Sequence, residues 1–232
     1  MIKHYPYNEL GTHDYGWLHA RYHFSFAEYQ NPSRKRFGAL RVINDDIVKP
    51  GTGFDMHPHK NMEIITFVRK GAITHKDSHG NNGTTEAGDL QVMSAGTGIF
   101  HSEFNLQNED LSLFQIWIEP KTRNVKPRWD SMKFPDTFVK ETLPLLVSGD
   151  ENDKDSLFIN QDAQIYGGRI KKDAVITHNV KNQAYVLISE GTVTIKEKLL
   201  NIGDGAEITD TDTIKITAKE PSTIIIIDVP KQ

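Results

Sequence analysis

The sequence contains no cysteine, and this absence removes several kinds of metal and redox chemistry. Without thiols the chain cannot form a disulfide framework, a thiolate-bound zinc site, an iron–sulfur cluster or a blue-copper centre. Any metal site must therefore be built from nitrogen and oxygen. Histidine and carboxylate donors of that kind suit divalent first-row transition metals.

Long apolar runs and an excess of positive charge are also absent. The N-terminus lacks the apolar core of a secretory signal, and no run approaches the roughly 18 apolar residues of a membrane-spanning helix. Lys and Arg number 27 against 31 Asp and Glu, giving a net charge of -4, so there is no basic surplus to attract nucleic acid or an anionic membrane. We expect a monomeric cytoplasmic protein whose partner is a small molecule.

Short β-type runs are frequent, whereas no stretch shows a long apolar stripe with a helical period. Runs such as Leu111–Ile118 and residues 223–229 are separated by turn residues, which is typical of a sandwich or barrel. Residues 22–26 alternate as in a half-buried strand, and residues 1–20 are predicted to be irregular. The predicted fold class is all-β.

Two halves are predicted, joined near residues 121–142, where prolines interrupt any sustained period. A weak repeat supports this division: residues 64–89 and 185–204 each contain a strand, a glycine, another strand and a Gly-Asp pair. We place an N-terminal domain at residues 1–130 and a C-terminal domain without metal ligands at 131–232.

Two short pairs of potential metal ligands lie in the first half. One is His57 with His59, and the other is His101 with Glu103. Side chains at positions i and i+2 of a strand share one face, so each pair can aim both donors into a barrel interior. Four unpaired polar groups would be costly to bury, and one ion satisfies them all. The pattern predicts a metal site.

The surrounding residues resemble the pirin branch of the cupin superfamily. The residues that resemble the first cupin motif are Gly51, His57-Pro58-His59, Glu63 and Gly71. Those that resemble the second are Gly88, Gly96, His101 and Asn105. Pirin-like segments are also found at residues 23–27, 40–46, 57–63, 94–99 and 115–118. The resemblance covers most of residues 15–120 and is weaker in the C-terminal half.

This resemblance implies a bicupin, in which two antiparallel jelly-roll β-barrels pack face to face and only the N-terminal one binds metal. The implied metal is Fe(II), with Mn, Cu, Ni, Co or Zn as alternatives. The pirin pattern places the ligands at His57, His59, His101 and Glu103. The general cupin pattern would use Glu63 instead, but the spacing around Glu63 departs from that pattern, so we leave it out of the ligand set.

The resemblance also implies a metal-dependent dioxygenase that cleaves a flavonol such as quercetin with molecular oxygen. Glu103 could then also be catalytic, as the base that accepts the acidic hydroxyl proton of the substrate. The alternative is a metal-bearing redox-sensing or regulatory protein that binds a protein partner without turnover. A closed four-coordinate zinc would instead indicate a structural site.

Four further polar residues near the motifs are predicted to lie outside the metal site. His23 is expected to be a satisfied core or surface histidine rather than part of the pocket. His75 and His79 flank a turn and are expected to be solvated. Glu63 is expected to be a structural or supporting carboxylate.

Overall fold

The computed structural model describes residues 1–231 and is built almost entirely of β-strands. Within that range the only helical element is a 3-10 turn, Tyr7–Glu9. No helix of these residues is long and apolar enough to cross a membrane. The all-β prediction is confirmed.

The strands are short and divide into two sets along the chain. The first set is β1 Ile2–Tyr5, β2 Gly11–Asp14, β3 Leu18–Tyr22, β4 Leu40–Val48, β5 Gly53–His59, β6 Glu63–Lys70, β7 Ala72–Asp77, β8 Asn82–Glu86, β9 Asp89–Ser94, β10 Ile99–Phe104, β11 Leu111–Ile118 and β12 Arg128–Lys133. The second set is β13 Phe138–Val139, β14 Leu145–Ser148, β15 Leu157–Phe158, β16 Gln164–Ile170, β17 Val175–Asn179, β18 Gln183–Glu190, β19 Thr192–Ile195, β20 Lys198–Asn201, β21 Gly205–Ile208, β22 Thr213–Ala218 and β23 Ser222–Val229.

Each half of the chain combines one large and one small sheet into a barrel. The N-terminal barrel has a seven-stranded sheet in the order β12-β9-β6-β11-β4-β3-β2 and a four-stranded sheet in the order β5-β10-β7-β8. The C-terminal barrel has an eight-stranded sheet, β1-β21-β18-β23-β16-β14-β15 with β13 also paired to β16, and a four-stranded sheet, β17-β22-β19-β20. The predicted two-barrel bicupin is confirmed.

The two large sheets pack against each other through one apolar layer that both barrels share. It contains Phe114 and Ile116 of β11 together with Tyr185, Leu187 and Ile225 of the C-terminal barrel, all at most 2% exposed. Successive side chains of a strand point to opposite faces, so the residues between these face a barrel interior. Strands buried on both faces account for short continuous apolar runs such as residues 223–229.

The weak sequence repeat corresponds to a repeated hairpin. Strands β6 and β7 are joined at Gly71, with φ of 76°, and β18 and β19 are joined at Gly191, with φ of 77°. Both angles lie in the left-handed region that glycine adopts without steric cost. The two halves therefore share local architecture as well as sequence pattern.

Two segments differ from their predicted structure. Residues 1–20 contain β1, β2 and part of β3 rather than an irregular lead-in, and β1 pairs with β21 of the C-terminal barrel. The strand predicted over residues 22–26 ends at Tyr22, and the chain then bends toward Ala27, whose φ is 48°. The domain division at residue 130 falls within β12, which pairs with β9, and that division stays a prediction.

Replacing Phe114 tests whether the shared layer couples the two barrels. Phe114→Ala should lower the free energy of unfolding by roughly 3–5 kcal/mol, because it leaves a cavity in that layer. All three tryptophans lie in the first 129 residues, so their fluorescence follows the N-terminal barrel while circular dichroism follows both. Both signals should change together during denaturation, before and after the substitution.

The control is Phe138→Ala, at a side chain that is 46% exposed. It should change the free energy of unfolding by less than about 1 kcal/mol. Separate fluorescence and dichroism transitions in the wild-type protein would contradict a shared core.

Candidate metal centre

Strands β5 and β10 bring three histidines together on the inner face of the small sheet. His57 and His101 lie opposite each other in the strand register, and His59 lies opposite Ile99. Their ring centroids are 4.5 Å apart for His57 and His101, 4.8 Å for His57 and His59, and 5.0 Å for His59 and His101. The spacing of two residues in each sequence pair thus places these imidazoles around one point.

Glu103 lies deeper in the barrel on the same strand as His101 and is 3% exposed. The ligand atoms of His57, His59 and His101 lie within 4.8 Å of one another, and so do those of His75, His101 and Glu103. His101 belongs to both groups. The carboxylate therefore joins the cluster through His101.

The Glu103 carboxylate is held by amides from the opposite sheet. Gln91 of β9 donates from Nε2 to Oε1 at 2.7 Å, and Gln115 of β11 donates from Nε2 to Oε2 at 2.9 Å. Each carboxylate oxygen therefore accepts one hydrogen bond across the barrel. This arrangement fixes the plane of the carboxylate.

Two tryptophans set the orientation of these amides. Trp129 Nε1 donates to Gln91 Oε1 at 3.3 Å, and Trp117 Nε1 donates to Gln115 Oε1 at 3.2 Å. An indole N–H can only donate, so each amide turns its oxygen toward the indole and its NH₂ group toward Glu103. The same rings contact the imidazoles, since Trp117 lies edge-on to His59 at 4.9 Å.

Burial is the main influence on the charge of Glu103. It raises the pKa of the carboxyl to about 7, although the hydrogen bonds from Gln115 and Gln91 act in the opposite direction. A buried carboxylate without a cationic partner is unfavourable, and a metal ion beside it would compensate its charge.

A chain of hydrogen bonds selects the tautomer of His101. His75 Nε2 lies 3.0 Å from Asp77 Oδ2, so its N–H donates to that carboxylate. His75 Nδ1 is then an acceptor, and His101 Nδ1 lies 3.5 Å from it. His101 therefore carries its proton on Nδ1 and a lone pair on Nε2. That Nε2 atom is buried and has no hydrogen-bond partner.

The charges around this chain agree with neutral imidazoles. Burial alone would raise the pKa of Asp77, but hydrogen bonds from His75 and Asn81 lower it below its usual value. Burial followed by repulsion from His57 lowers the pKa of His101 to about 2, and the same two causes lower that of His59 to about 4. Only neutral imidazoles bind metal, so the residues present fit a divalent ion.

The prediction of a solvated side chain is wrong for His75 and agrees with the structure for His79. His75 was predicted to be solvated but is fully buried, and its ring stacks on Trp129 at 5.1 Å. The alternation of Ile73, His75 and Asp77 along β7 carries the signal, because all three point inward. His79 lies beyond the end of the strand and is exposed, as predicted.

His23 and Glu63 lie apart from the histidine cluster. His23 is buried between the barrels, where its Nδ1 lies 2.9 Å from the hydroxyl oxygen of Tyr185. Glu63 accepts hydrogen bonds from Ser94 Oγ at 2.6 Å and from Asn160 Nδ2 at 3.2 Å. Because Asn160 belongs to the second half of the chain, Glu63 links the two barrels, which agrees with its predicted structural role.

Comparison with known proteins matches nearly the whole chain to two protein families, to relatives with similar sequences and to a solved structure. A family described as Pirin matches residues 4–118, and one described as quercetinase C-terminal cupin domain matches residues 145–229. A pirin-like protein of Caulobacter vibrioides is 46% identical over 230 residues, covering 98% of this chain and 99% of the relative. The quercetin 2,3-dioxygenase of Escherichia coli K12 is 40% identical over 226 residues, or 96% of each chain.

A solved structure extends the similarity to three dimensions. The bacterial pirin YhhW of Escherichia coli, in complex with nickel(II), is similar with a TM-score of 0.93 and 39% identity, covering 100% of both chains. Together with the His and Glu cluster, this likeness supports a divalent metal site in the present chain.

Removing His75 tests the hydrogen-bond chain. His75→Phe keeps an aromatic ring against Trp129 but removes the acceptor that holds the proton of His101 on Nδ1. Loss of such a supporting hydrogen bond should weaken divalent metal binding about 10–100-fold. Competition with a calibrated chelator measures the affinity.

The control is His79→Phe, since His79 lies in the same turn region but is exposed. Its metal affinity should match the wild type. Equal affinities for all three proteins would show that His75 does not support the site.

The pKa of Glu103 predicts a pH-dependent stability in metal-free protein. The folded-state pKa is raised to about 7 from a usual 4.5, so the protonated carboxyl stabilises the fold at low pH and this contribution is lost as pH rises through 7. From pH 5 to pH 8, EDTA-treated wild type should lose about 2 kcal/mol relative to Glu103→Gln. Urea denaturation at each pH measures the difference, and a constant difference would contradict the raised pKa.

Proposed function

The chain belongs to the pirin family of the cupin superfamily, and on that basis we propose that it is a metal-dependent dioxygenase that cleaves a flavonol such as quercetin with molecular oxygen. The observation that carries this proposal is the convergence of three imidazoles beside a buried carboxylate. The Escherichia coli relative named quercetin 2,3-dioxygenase supports the choice of substrate.

We propose that His57, His59, His101 and Glu103 hold the metal, and that the metal is Fe(II) or another divalent ion. The buried, unpartnered Nε2 of His101 and the uncompensated carboxylate support this set. Nickel(II) in the structure of the bacterial pirin YhhW supports the choice of a divalent ion. When bound, such an ion supplies a Lewis-acid centre for the substrate oxygen.

Glu103 has a second proposed role as the base. Burial raises the pKa of its carboxyl in the metal-free protein, which favours acceptance of a proton, and the acidic hydroxyl of a flavonol is the proton donor. Gln91 and Gln115 hold the carboxylate in place while it accepts that proton. Trp117 packs against His59 and limits the space that water can occupy there.

We propose that the C-terminal domain, residues 131–232, is structural. The interior of its barrel is filled by an unbroken apolar cluster that includes Val186, Ile188, Ile195 and Ile216. The sequence of this half contains one histidine, His178, which is too few donors for a comparable site. This assignment leaves the metal chemistry to the N-terminal domain, residues 1–130.

Aerobic incubation with quercetin tests the enzyme proposal. Protein loaded separately with iron, manganese, copper, nickel or cobalt should consume oxygen and bleach the flavonol absorbance with at least one of them. Glu103→Gln should reduce kcat roughly 10²–10⁴-fold, because it removes the base. It should also reduce metal occupancy.

Glu63→Gln is the matched control, since it makes the same chemical change at a buried glutamate outside the cluster. This variant should keep its metal and its activity. Absence of turnover with all five metals would exclude the dioxygenase. Retained metal in Glu103→Gln with loss in Glu63→Gln would exclude the proposed ligand set.

A further inference from the structure

A separate cavity lies in the N-terminal barrel beside the candidate metal centre. Its volume is about 180 Å³, and its walls include the rings of Trp17, Tyr22, Phe26 and Phe54. A cavity of about 150 Å³ is known to hold one benzene molecule. The space therefore fits one six-membered ring and is too small for a three-ring flavonol as a whole.

Two unpaired acceptors lie among these aromatic walls. Asn44 and Asp46 both line the cavity, and they are 4% and 1% exposed. The Oδ1 atom of each is buried without a hydrogen-bond partner. Buried polar atoms are normally paired, so two unpaired acceptors at one cavity indicate a ligand that brings donors.

The alternation of β4 places these acceptors. Asn44 and Asp46 are two residues apart and share a face of the strand, while Asp45 between them points to the other face and forms an ion pair with Arg69. The pair thus lies on one wall of the barrel with its two acceptors side by side. A hydroxylated ring in the cavity can therefore donate hydrogen bonds to acceptors on this one wall.

Gln115 connects this cavity to the metal centre. Its side chain lines the cavity, and its Nε2 donates to Glu103 Oε2 at 2.9 Å. Phe54 is a second link, because its ring lines the cavity and lies 6.4 Å from the ring of His57. A ring in this space would contact side chains that themselves neighbour Glu103 and His57.

We propose that the cavity binds one hydroxylated aromatic ring, a phenol or catechol, whose hydroxyls donate to Asn44 and Asp46. The suggestion that this bound ring is part of a flavonol rests on the proposed function. The binding of a free phenol does not depend on that function. The aromatic walls supply apolar contact for the ring, and the two acceptors select hydroxylated rings over plain ones.

Binding of small aromatic probes to EDTA-treated protein tests this site. Removing the metal prevents turnover and prevents catechol from binding to a metal ion. Catechol should bind the wild type more tightly than benzene in calorimetric or ligand-observed NMR titrations. Asp46→Leu should weaken catechol about tenfold and leave benzene binding nearly unchanged, because only the hydrogen bond is lost. Asp130→Leu removes an exposed carboxylate of the same barrel and should behave as the wild type.

Ala20→Leu is a second variant, and unlike Asp46→Leu it does not replace a buried polar side chain. Ala20 lines the cavity in an apolar cluster, so the larger side chain should fill the space and abolish binding of both probes. Thermal unfolding establishes that each variant is folded.

Three results would overturn the inference. These are no catechol binding to the wild type, an unchanged preference for catechol over benzene in folded Asp46→Leu, or tighter binding of the cationic ring benzylammonium than of catechol. Quercetin turnover without phenol binding would reject this site alone. Phenol binding without turnover would reject the dioxygenase alone.

Discussion

The burial of the Glu103 carboxylate between two sheets is the constraint on which the candidate site depends. A carboxyl group at that depth needs hydrogen-bond donors, and the amides of Gln91 and Gln115 supply one to each of its oxygens from the large sheet. Those amides point correctly because the indoles of Trp129 and Trp117 occupy their oxygens. The position of one carboxylate thus determines four side chains around it, and two of those pack on histidines of the cluster.

The interiors of the two barrels differ in how continuous their apolar clusters are. In the N-terminal barrel the polar residues separate two small apolar clusters, one around Leu111 and one around Ile99. The C-terminal barrel instead has a continuous apolar interior, although its hairpin at Gly191 repeats that at Gly71. The shared layer between the large sheets joins the polar barrel to this apolar partner. The two barrels thus share a fold but differ in the residues that fill their interiors.

The sequence predicted what depends on local pattern and missed what depends on distant pairing. The i, i+2 rule was enough to place His57, His59 and His101 on one face, since strand alternation is local. It did not reveal Gln91 and Gln115, because their role exists only when the opposite sheet closes over β10.

The errors have the same physical origin. The pairing of β1 with β21 joins residues about two hundred positions apart, and the N-terminal sequence carries no sign of its partner. His75 was misjudged because nearby turn residues suggested solvent, whereas its strand neighbours Ile73 and Asp77 already indicated an inward face. Alternation along the strand was the better guide than proximity to the turn.

The same alternation places Asn44 and Asp46 side by side, yet only the closed barrel gives them a shared cavity. Gln115 already accepts a hydrogen bond from Trp117 and donates one to Glu103, whereas the Oδ1 atoms of Asn44 and Asp46 have no partner. These unpartnered acceptors lie on β4, while His57, His59, His101 and Glu103 lie on β5 and β10. Because β4 belongs to the large sheet and β5 and β10 to the small one, the packing of the two sheets sets the separation between these acceptors and the histidine cluster.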